Sequence, residues 1–432
     1  MVSVELPSAR ALLTWCKFNS CRSRVAWIAG DANRARANSP SQSNMRQRVL
    51  FVSHDLVPEG GGGLVAAWML QALLSAYDVT LLTWDVPNYA ALDRMFGTSL
   101  DGLPIGSVVP SRSERWLVNL IPDDSHHQRA NYLLRLVKRL AHTFAAVIGS
   151  GFESDFGHPG IQYVHYPYVA QRGRNWTIPG DAPLATCMGA LLSGRLRPWM
   201  LISGYSFERM RHNLTLANSL WSVGEMQEAG MATELLYAPA PGAFPDVPWE
   251  PRRDAFVCTG RLVPYKRQDW AADTLALVRR EWPDLELHIC GSAPDAAYNQ
   301  RLEAAVKAHG SWVQVHRDLS RADLVALLSQ CRYGIHACLD EHFGIAPAEM
   351  ARAGCIPFVH ASGGQVEIVD RDPRLCYSTA EDAAGKILAV LRDRALQDEL
   401  RTAVHRRSDR FTSEAFVAGF LEYVERFLAA RN

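Results

Sequence analysis

The sequence predicts an α/β protein built from two doubly wound domains that face each other across a cleft. Three observations carry that expectation. Residues 49–84 read as strand, glycine run, helix, strand, which is a βαβ unit and implies a parallel sheet. Residues 239–251 hold five Pro, one Gly and few helix formers, the composition of an interdomain linker. Beyond them, apolar runs of strand length alternate cleanly with helix-length segments to the end of the chain.

The 432 residues are enough for two or three domains. Hydrophobic content of 48% with 21% charged residues fits a globular protein with ample core. Lys+Arg 45 against Asp+Glu 45 excludes a nucleic-acid binder that relies on bulk basicity. The nine Cys include no CxxC pair, so neither a disulfide framework nor a zinc site is suggested, and a reducing cytoplasm fits them best. No apolar run reaches the roughly 18 residues of a membrane span. Residues 1–47 carry Arg10, Lys17, Arg22, Arg24, Arg34, Arg36 and Arg46 against Glu5 and Asp31, a composition like a transit peptide's or a loosely attached leader's. They are set aside from the fold.

In chain order, residues 49–53 form a buried-strand run, Pro58 and Gly60 to Gly63 a loop, 64–76 a helix and 78–84 a second strand. The middle is less regular. A basic amphipathic helix covers 128–144, strands cover 145–149, 161–164 and 215–218, and Ser219 has the character of an N-cap for a helix through 229. The stretch 191–212 mixes Arg, Trp and Phe with aliphatic residues, and reads either as an ordinary helix or as one lying on an anionic membrane surface. The first domain is therefore 48–240, the linker 241–252, the second domain 253–405, and 406–432 a tail. In the second domain strands read at 255–259, 285–290, 312–316, 333–337 and 355–360. Helices read at 268–280, 296–308, 321–331, 347–353 and 381–392, and a last amphipathic helix at 411–430.

Ligands of doubly wound folds bind at the carboxyl ends of strands, and three candidate loops lie there. In residues 338–350, Pro347 is placed to open a helix whose start lacks a capping side chain, flanked by Glu341 and Glu349. That is either an anion site between two hydroxyl-binding carboxylates or a helix-start acid beside a solvated one. Arg261 and Lys266 bracket the loop after 255–259, where a guanidinium and an ammonium suit a diphosphate, or are surface charges. Gly60 to Gly63 would let backbone approach a phosphate, but they are neither GxGxxG nor a Walker loop. His165, at a strand end, would bond a sugar hydroxyl or serve proton traffic, or is a packed loop residue. Asp370 and Asp372 match the acidic DxD pattern of metal-dependent sugar transferases but sit in a turn before Pro373. His126 and His127 after Asp123 and Asp124 lack a spaced third ligand, so no metal site is expected.

Taken together and in order, these loops resemble the retaining family-4 glycosyltransferases of the GT-B fold, two Rossmann-like domains across a cleft. Glu341 and Glu349 match that family's E-x7-E motif, 260–266 its G-R-L-x-P-x-K loop, Gly62 and Gly63 its glycine pair, 363–367 its GGxxE segment, and Asn218-Ser219 its strand end. The likeness runs from about residue 49 to the C-terminus. It implies a nucleotide-sugar co-substrate, GDP- or UDP-linked, with no other cofactor and no metal. Glu349 would bind ribose and Glu341 the donor sugar; Phe343, Gly344 and Ile345 would offer backbone N–H groups. Arg261 and Lys266 would hold the diphosphate, and His165 would lie near the reacting sugar. The last helix would brace the first domain. His342 stands where most of the family has Gly, and with residues 163–167 it resembles the subset that elongates dolichol-linked mannose oligosaccharides. Residues 261–269 are also similar to bacterial O-antigen mannosyltransferases. The resemblance therefore implies a transferase moving mannose from GDP-mannose to a glycan or lipid-linked acceptor, cytoplasmic, with peripheral membrane contact and no nucleic-acid partner. A nucleotide-sugar epimerase, a catalytically silent nucleotide-sugar-binding subunit and a dinucleotide oxidoreductase are the alternatives. The missing GxGxxG counts against the last.

Overall fold

The structure, a computed structural model, describes residues 26–28, 46–54, 56–120, 127–167 and 203–431. The first lobe holds β1 (Ala26–Ile28), β2 (Arg48–Val52), α1 (Gly60–Ala76), β3 (Asp78–Leu82), α2 (Tyr89–Phe96), β4 (Gly106–Val109), α3 (Arg112–Asn119) and α4 (His127–Leu140). It continues with β5 (Ala146–Gly151), β6 (Ile161–Val164), α5 (Phe207–Arg211), β7 (Leu214–Ala217), α6 (Leu220–Glu228) and β8 (Thr233–Leu235). The second lobe runs through β9 (Arg253–Thr259), α7 (Gln268–Arg279), β10 (Glu286–Gly291), α8 (Ala296–His309), β11 (Val313–Arg317), α9 (Arg321–Gln330) and β12 (Cys331–His336). It ends with α10 (Ile345–Arg352), β13 (Ile356–His360), β14 (Cys376–Tyr377), α11 (Ala380–Arg392), α12 (Arg394–Ser408) and α13 (Ser413–Ala429).

The first sheet is ordered β1-β4-β3-β2-β5-β6-β7-β8 and the second β11-β10-β9-β12-β13-β14. Every pairing is parallel except β1 on β4, where Ala26 faces Val109. Three residues of the stretch set aside as a leader thus form an edge strand. Most of that stretch lies outside the described residues, as do Asp123, Asp124, His126 and residues 191–202 of the basic aromatic stretch. Central strands are buried on both faces, as parallel sheets require: Val49, Leu50, Phe51, Phe256 and Val257 have no exposed surface.

Strand order reverses between β2 and β5 in one sheet and between β9 and β12 in the other. Those reversals open a crevice at the carboxyl ends of the strands, where ligands of this fold type bind. The helix α13 returns to the first lobe, with Phe416 against Tyr163 at 5.9 Å and the Tyr423 hydroxyl donating to the Leu235 carbonyl at 3.0 Å. In the linker, Trp249 is 1% exposed and packs edge-on against Tyr333 of the second lobe.

Two expectations about helix starts need correction. The four glycines are not a loop but the first turn of α1. The helix of the carboxylate motif opens at Ile345, not Pro347, because Gly344 takes a left-handed φ of 99° and ends the loop there.

Candidate functional site

A cleft of about 790 Å³ lies between the lobes, and Gly62, His165, Arg261, Lys266, Glu341 and Glu349 all line it. The two strand-order reversals supply them. From the first lobe, α1 starts behind Glu59 with no side-chain cap, so the open helix end faces the cleft. The glycines allow a close approach there: a Cβ on Gly61 would sit 2.9 Å from Ile345 Cδ1, and one on Gly62 3.9 Å from the His165 ring. Gly63 lies deeper, where a Cβ would meet the Val57 carbonyl at 2.5 Å.

From the second lobe, the loop after β9 passes Gly260 and Arg261, then makes a 3-10 turn over Pro264–Lys266. Arg261 is exposed to the cleft and donates to the Tyr265 hydroxyl at 2.6 Å. Lys266 Nζ bonds Glu341 Oε2, and the same oxygen lies 3.1 Å from His336 Nε2. The Lys266 and Glu341 side chains are only 16% and 15% exposed. Burial alone would raise the Glu341 carboxyl, but the Lys266 charge and then His336 overturn that and hold it well below the usual range. Burial likewise works against the Lys266 ammonium, and Glu341 raises it above its ordinary value. Both stay charged, so Glu341 is an ion-paired residue and not a solvated one.

The start of α10 has no side-chain cap and no acid in its first turn, leaving N–H groups at Ile345 and Ala346 for an anion. Glu349 falls beyond that first turn, 6% exposed, and accepts from Arg321 Nη1 at 2.5 Å. Phe343 is buried between Tyr237 and Phe411, at 5.7 and 5.5 Å, so only its backbone can serve a ligand. The His342 ring is placed edge-on to Tyr166 at 4.5 Å and tilted to Trp221 at 5.4 Å, both first-lobe residues.

His165 Nε2 lies 2.8 Å from Ser150 Oγ. Desolvation, helped by His54 and His342, lowers its pKa to about 3, so the imidazole is neutral near pH 7. A neutral ring can share a hydrogen bond but brings no charge. The sign of the pH dependence follows. His165 binds a proton less readily folded than unfolded, so its cost appears as pH falls below about 6.5. The stability that Glu341 contributes is present above its ordinary 4.5 and is lost as pH falls toward its lowered folded value. The melting temperature is expected to fall from pH 7 to pH 4. His165→Asn should flatten the upper part of that fall, and a flat wild-type profile would contradict both assignments.

Asp370 and Asp372 do not line the cleft. Asp370 takes a φ of 58° in a turn and pairs with Arg407, while Asp372 pairs with Arg374 at 2.6 Å. A different set, His336, Cys338 and Glu341, places ligand-type atoms within 4.8 Å of one another. The Lys266 ammonium already shares the Glu341 oxygen. Burial pushes the Cys338 thiol up to about 12, so this set does not present a metal-ready thiolate. Arg321, His336 and Ser150 escaped sequence reasoning. Arg321 opens a helix just past a strand end, a weak signal; the other two lie in apolar strand runs that carry none.

The fold is of the GT-B type, two Rossmann-like lobes that enclose a basic, carboxylate-flanked cleft. Residues 243–407 match the family model described as glycosyl transferases group 1. The chain is similar to a GDP-Man:Man(3)GlcNAc(2)-PP-Dol alpha-1,2-mannosyltransferase of Dictyostelium discoideum, 27% identical over 40% of this chain and 37% of that protein. The Neurospora crassa protein of the same name is 24% identical over 63% of this chain and 57% of its own length. The chain therefore spans between about a third and three fifths of these curated relatives. The crystal structure of Anabaena HepE in complex with UDP and glucose superposes with a TM-score of 0.60 at 16% identity, covering 88% of this chain and all of that one. Among the described residues no helix is long and apolar enough to cross a membrane.

Proposed function

We propose that the protein is a retaining glycosyltransferase that moves a sugar, mannose from GDP-mannose as the leading choice, to a hydroxyl of a glycan or lipid-linked acceptor. One observation carries this reading: the meeting of Arg261, Lys266, two uncapped helix starts and the carboxylates Glu341 and Glu349 in a single cleft. Mannose rests on the curated relatives, which are named as GDP-Man mannosyltransferases. A lipid-linked acceptor would place the protein at a membrane surface, and a cytoplasmic, peripheral location belongs to the same proposal.

In the reaction, positive charge develops at the anomeric carbon and negative charge on the departing diphosphate. Arg261, Lys266 and the α10 start would stabilise the departing charge with groups already in place, which is the preorganised electrostatic contribution to catalysis. Glu349 would hold the ribose and Glu341 the sugar, with the main-chain N–H groups of Ile345 and Ala346 on phosphate oxygens. The leaving phosphate oxygen would take the acceptor proton, so no carboxylate pair is needed as acid and base. Neutral His165 would bond a sugar hydroxyl beside Gly62. Closure of the lobes would limit hydrolysis by excluding water.

A thermal-shift panel of GDP, UDP, ADP and dTDP sugars tests the donor, since a ligand at 100 times its Kd adds about 2.7 kcal/mol of stability. GDP-mannose is expected to give the largest shift and to be turned over in EDTA. A panel with no shift and no turnover would remove the reading. EDTA loss rescued by Mn²⁺ would instead contradict the metal-free part of the reading.

A further inference from the structure

The loop that carries Glu341 is shaped from both lobes. On its own side, Gly364 N donates to the Glu341 carbonyl at 2.7 Å and Gln365 Nε2 to the Cys338 carbonyl at 2.8 Å. There is no room at Gly364 for a side chain: a Cβ would stand 2.1 Å from the His342 carbonyl oxygen and 2.7 Å from Ser219. From the other lobe, Ser219 has two tasks. Its Oγ accepts from Ser222 N at 3.0 Å, capping α6, and donates to the His342 carbonyl. Two further free N–H groups at the start of α6, Leu220 and Trp221, donate to the two oxygens of Glu367, each at 2.9 Å. Glu367 belongs to the second lobe, on the turn that begins at Gly364. It is 7% exposed and also bonds Tyr237, whose hydroxyl in turn meets Arg410.

These contacts form one circuit. Glu367 fixes α6 to the second lobe, Ser219 at the head of α6 fixes the His342 carbonyl, and the flanking residues are Glu341 on one side and the phosphate-facing helix start on the other. Separation of the lobes would release the Glu367 bonds and the Ser219 bond together. The His342 ring would also leave Tyr166 and Trp221.

We propose that Ser219 and Glu367 are positioning residues that make the shape of the Glu341-to-Gly344 loop depend on the docking of the two lobes. The loop then presents Glu341 to a donor sugar only in the docked arrangement. That last consequence rests on the glycosyltransferase reading; the coupling itself does not.

Hydrogen–deuterium exchange on the full chain separates the two. Ser219→Gly keeps a residue tolerated at an N-cap but removes the closer donor to the His342 carbonyl, leaving only the Ser222 hydroxyl at 3.5 Å, and Glu367→Gln keeps the size of the side chain while losing its charge. In both variants exchange of residues 341–345 is expected to speed up at least tenfold, with β9 and β10 unchanged. In Glu367→Gln the amides of Leu220 and Trp221 should speed up as well. Turnover of GDP-mannose should fall at least tenfold while GDP affinity stays within threefold, a split that general destabilisation would not produce. Unchanged exchange at 341–345 in both variants overturns the proposal. Accelerated exchange in a protein that turns over no nucleotide sugar would support the coupling and remove the donor assignment instead.

Discussion

Lys266→Ala is expected to lower turnover by about 10²-fold or more, the scale for losing one charge-stabilising donor. Two effects act in the same direction. The departing diphosphate loses a fixed positive charge, and Glu341 keeps a charge with no ammonium beside it. The side chains are 16% and 15% exposed, so that carboxylate is poorly solvated. Breaking a buried pair by removing one partner costs about 3 to 5 kcal/mol, so the variant should also melt earlier. A double-mutant comparison separates the effects. Lys266→Ala with Glu341→Gln removes the orphaned charge and should recover much of the lost stability. It should recover none of the turnover, because the leaving group still lacks its cation. His336 lies 3.1 Å from the same oxygen and would remain as a weaker partner, charged only when protonated. The assignment fails if Lys266→Ala keeps turnover within a few-fold of wild type with a confirmed donor. It also fails if the double variant restores activity along with stability.

Much of this architecture is readable in the sequence, for a reason that also explains the gaps. Central parallel strands are buried on both faces and appear as unbroken apolar runs. The stretches around Phe256, Ile289 and Phe358 announce themselves in this way, each with no exposed surface. β4 does not, since its four residues GSVV are short and begin with an exposed glycine. Helix α12 also escapes, because its residues RALQDELRTAVHRRS are mostly polar and few face the core. The glycine run misleads for a different cause. Local propensity makes Gly a helix breaker, at a cost of about 1 kcal/mol per residue relative to Ala. Close packing of Gly61 against Ile345 and of Gly63 against the Val57 carbonyl leaves no space for a Cβ at those two positions and overrides that preference.

The site divides along the same line. Loops at strand ends were legible, since Arg261, Lys266, Glu341 and Glu349 follow strands in a fixed order. Their partners were not. Arg321 reaches Glu349 from the end of β11, three strands away from β12 in the sheet, and no spacing in the chain encodes that distance. His336 is the last residue of β12 and looks like any strand residue until the loop folds Glu341 back over it.

Gly291→Ala should be nearly as damaging as loss of Lys266, though Gly291 bears no chemistry. It closes β10, the strand beside β9, where the phosphate-side loop crosses. Two main-chain bonds fasten that loop to the strand end, Gly260 N to the Cys290 carbonyl at 3.0 Å and Leu262 N to the Ser292 carbonyl at 2.8 Å. A Cβ on Gly291 would stand 1.9 Å from the Gly260 carbonyl oxygen and 2.8 Å from its carbon. Both are backbone atoms, so no side chain can rotate away, and the loop must move by on the order of 1 Å to restore an ordinary contact. Overpacking of this kind costs about 1 to 3 kcal/mol, and each strained loop bond adds up to roughly 1 kcal/mol. Arg261 is the next residue along the loop and moves with it. A displacement of about 1 Å in a positioning group is worth about 10²-fold in rate. The expected result is a folded protein with a lowered melting temperature and turnover reduced about 10²-fold, with diphosphate affinity falling alongside. Gly385→Ala serves as the comparison: it lies inside α11, nothing stands within 4 Å of its Cβ position, and Ala there should stabilise by about 0.5 to 1 kcal/mol. If Gly291→Ala turns over donor at the rate of Gly385→Ala, the loop after β9 does not place the charge that carries the departing group.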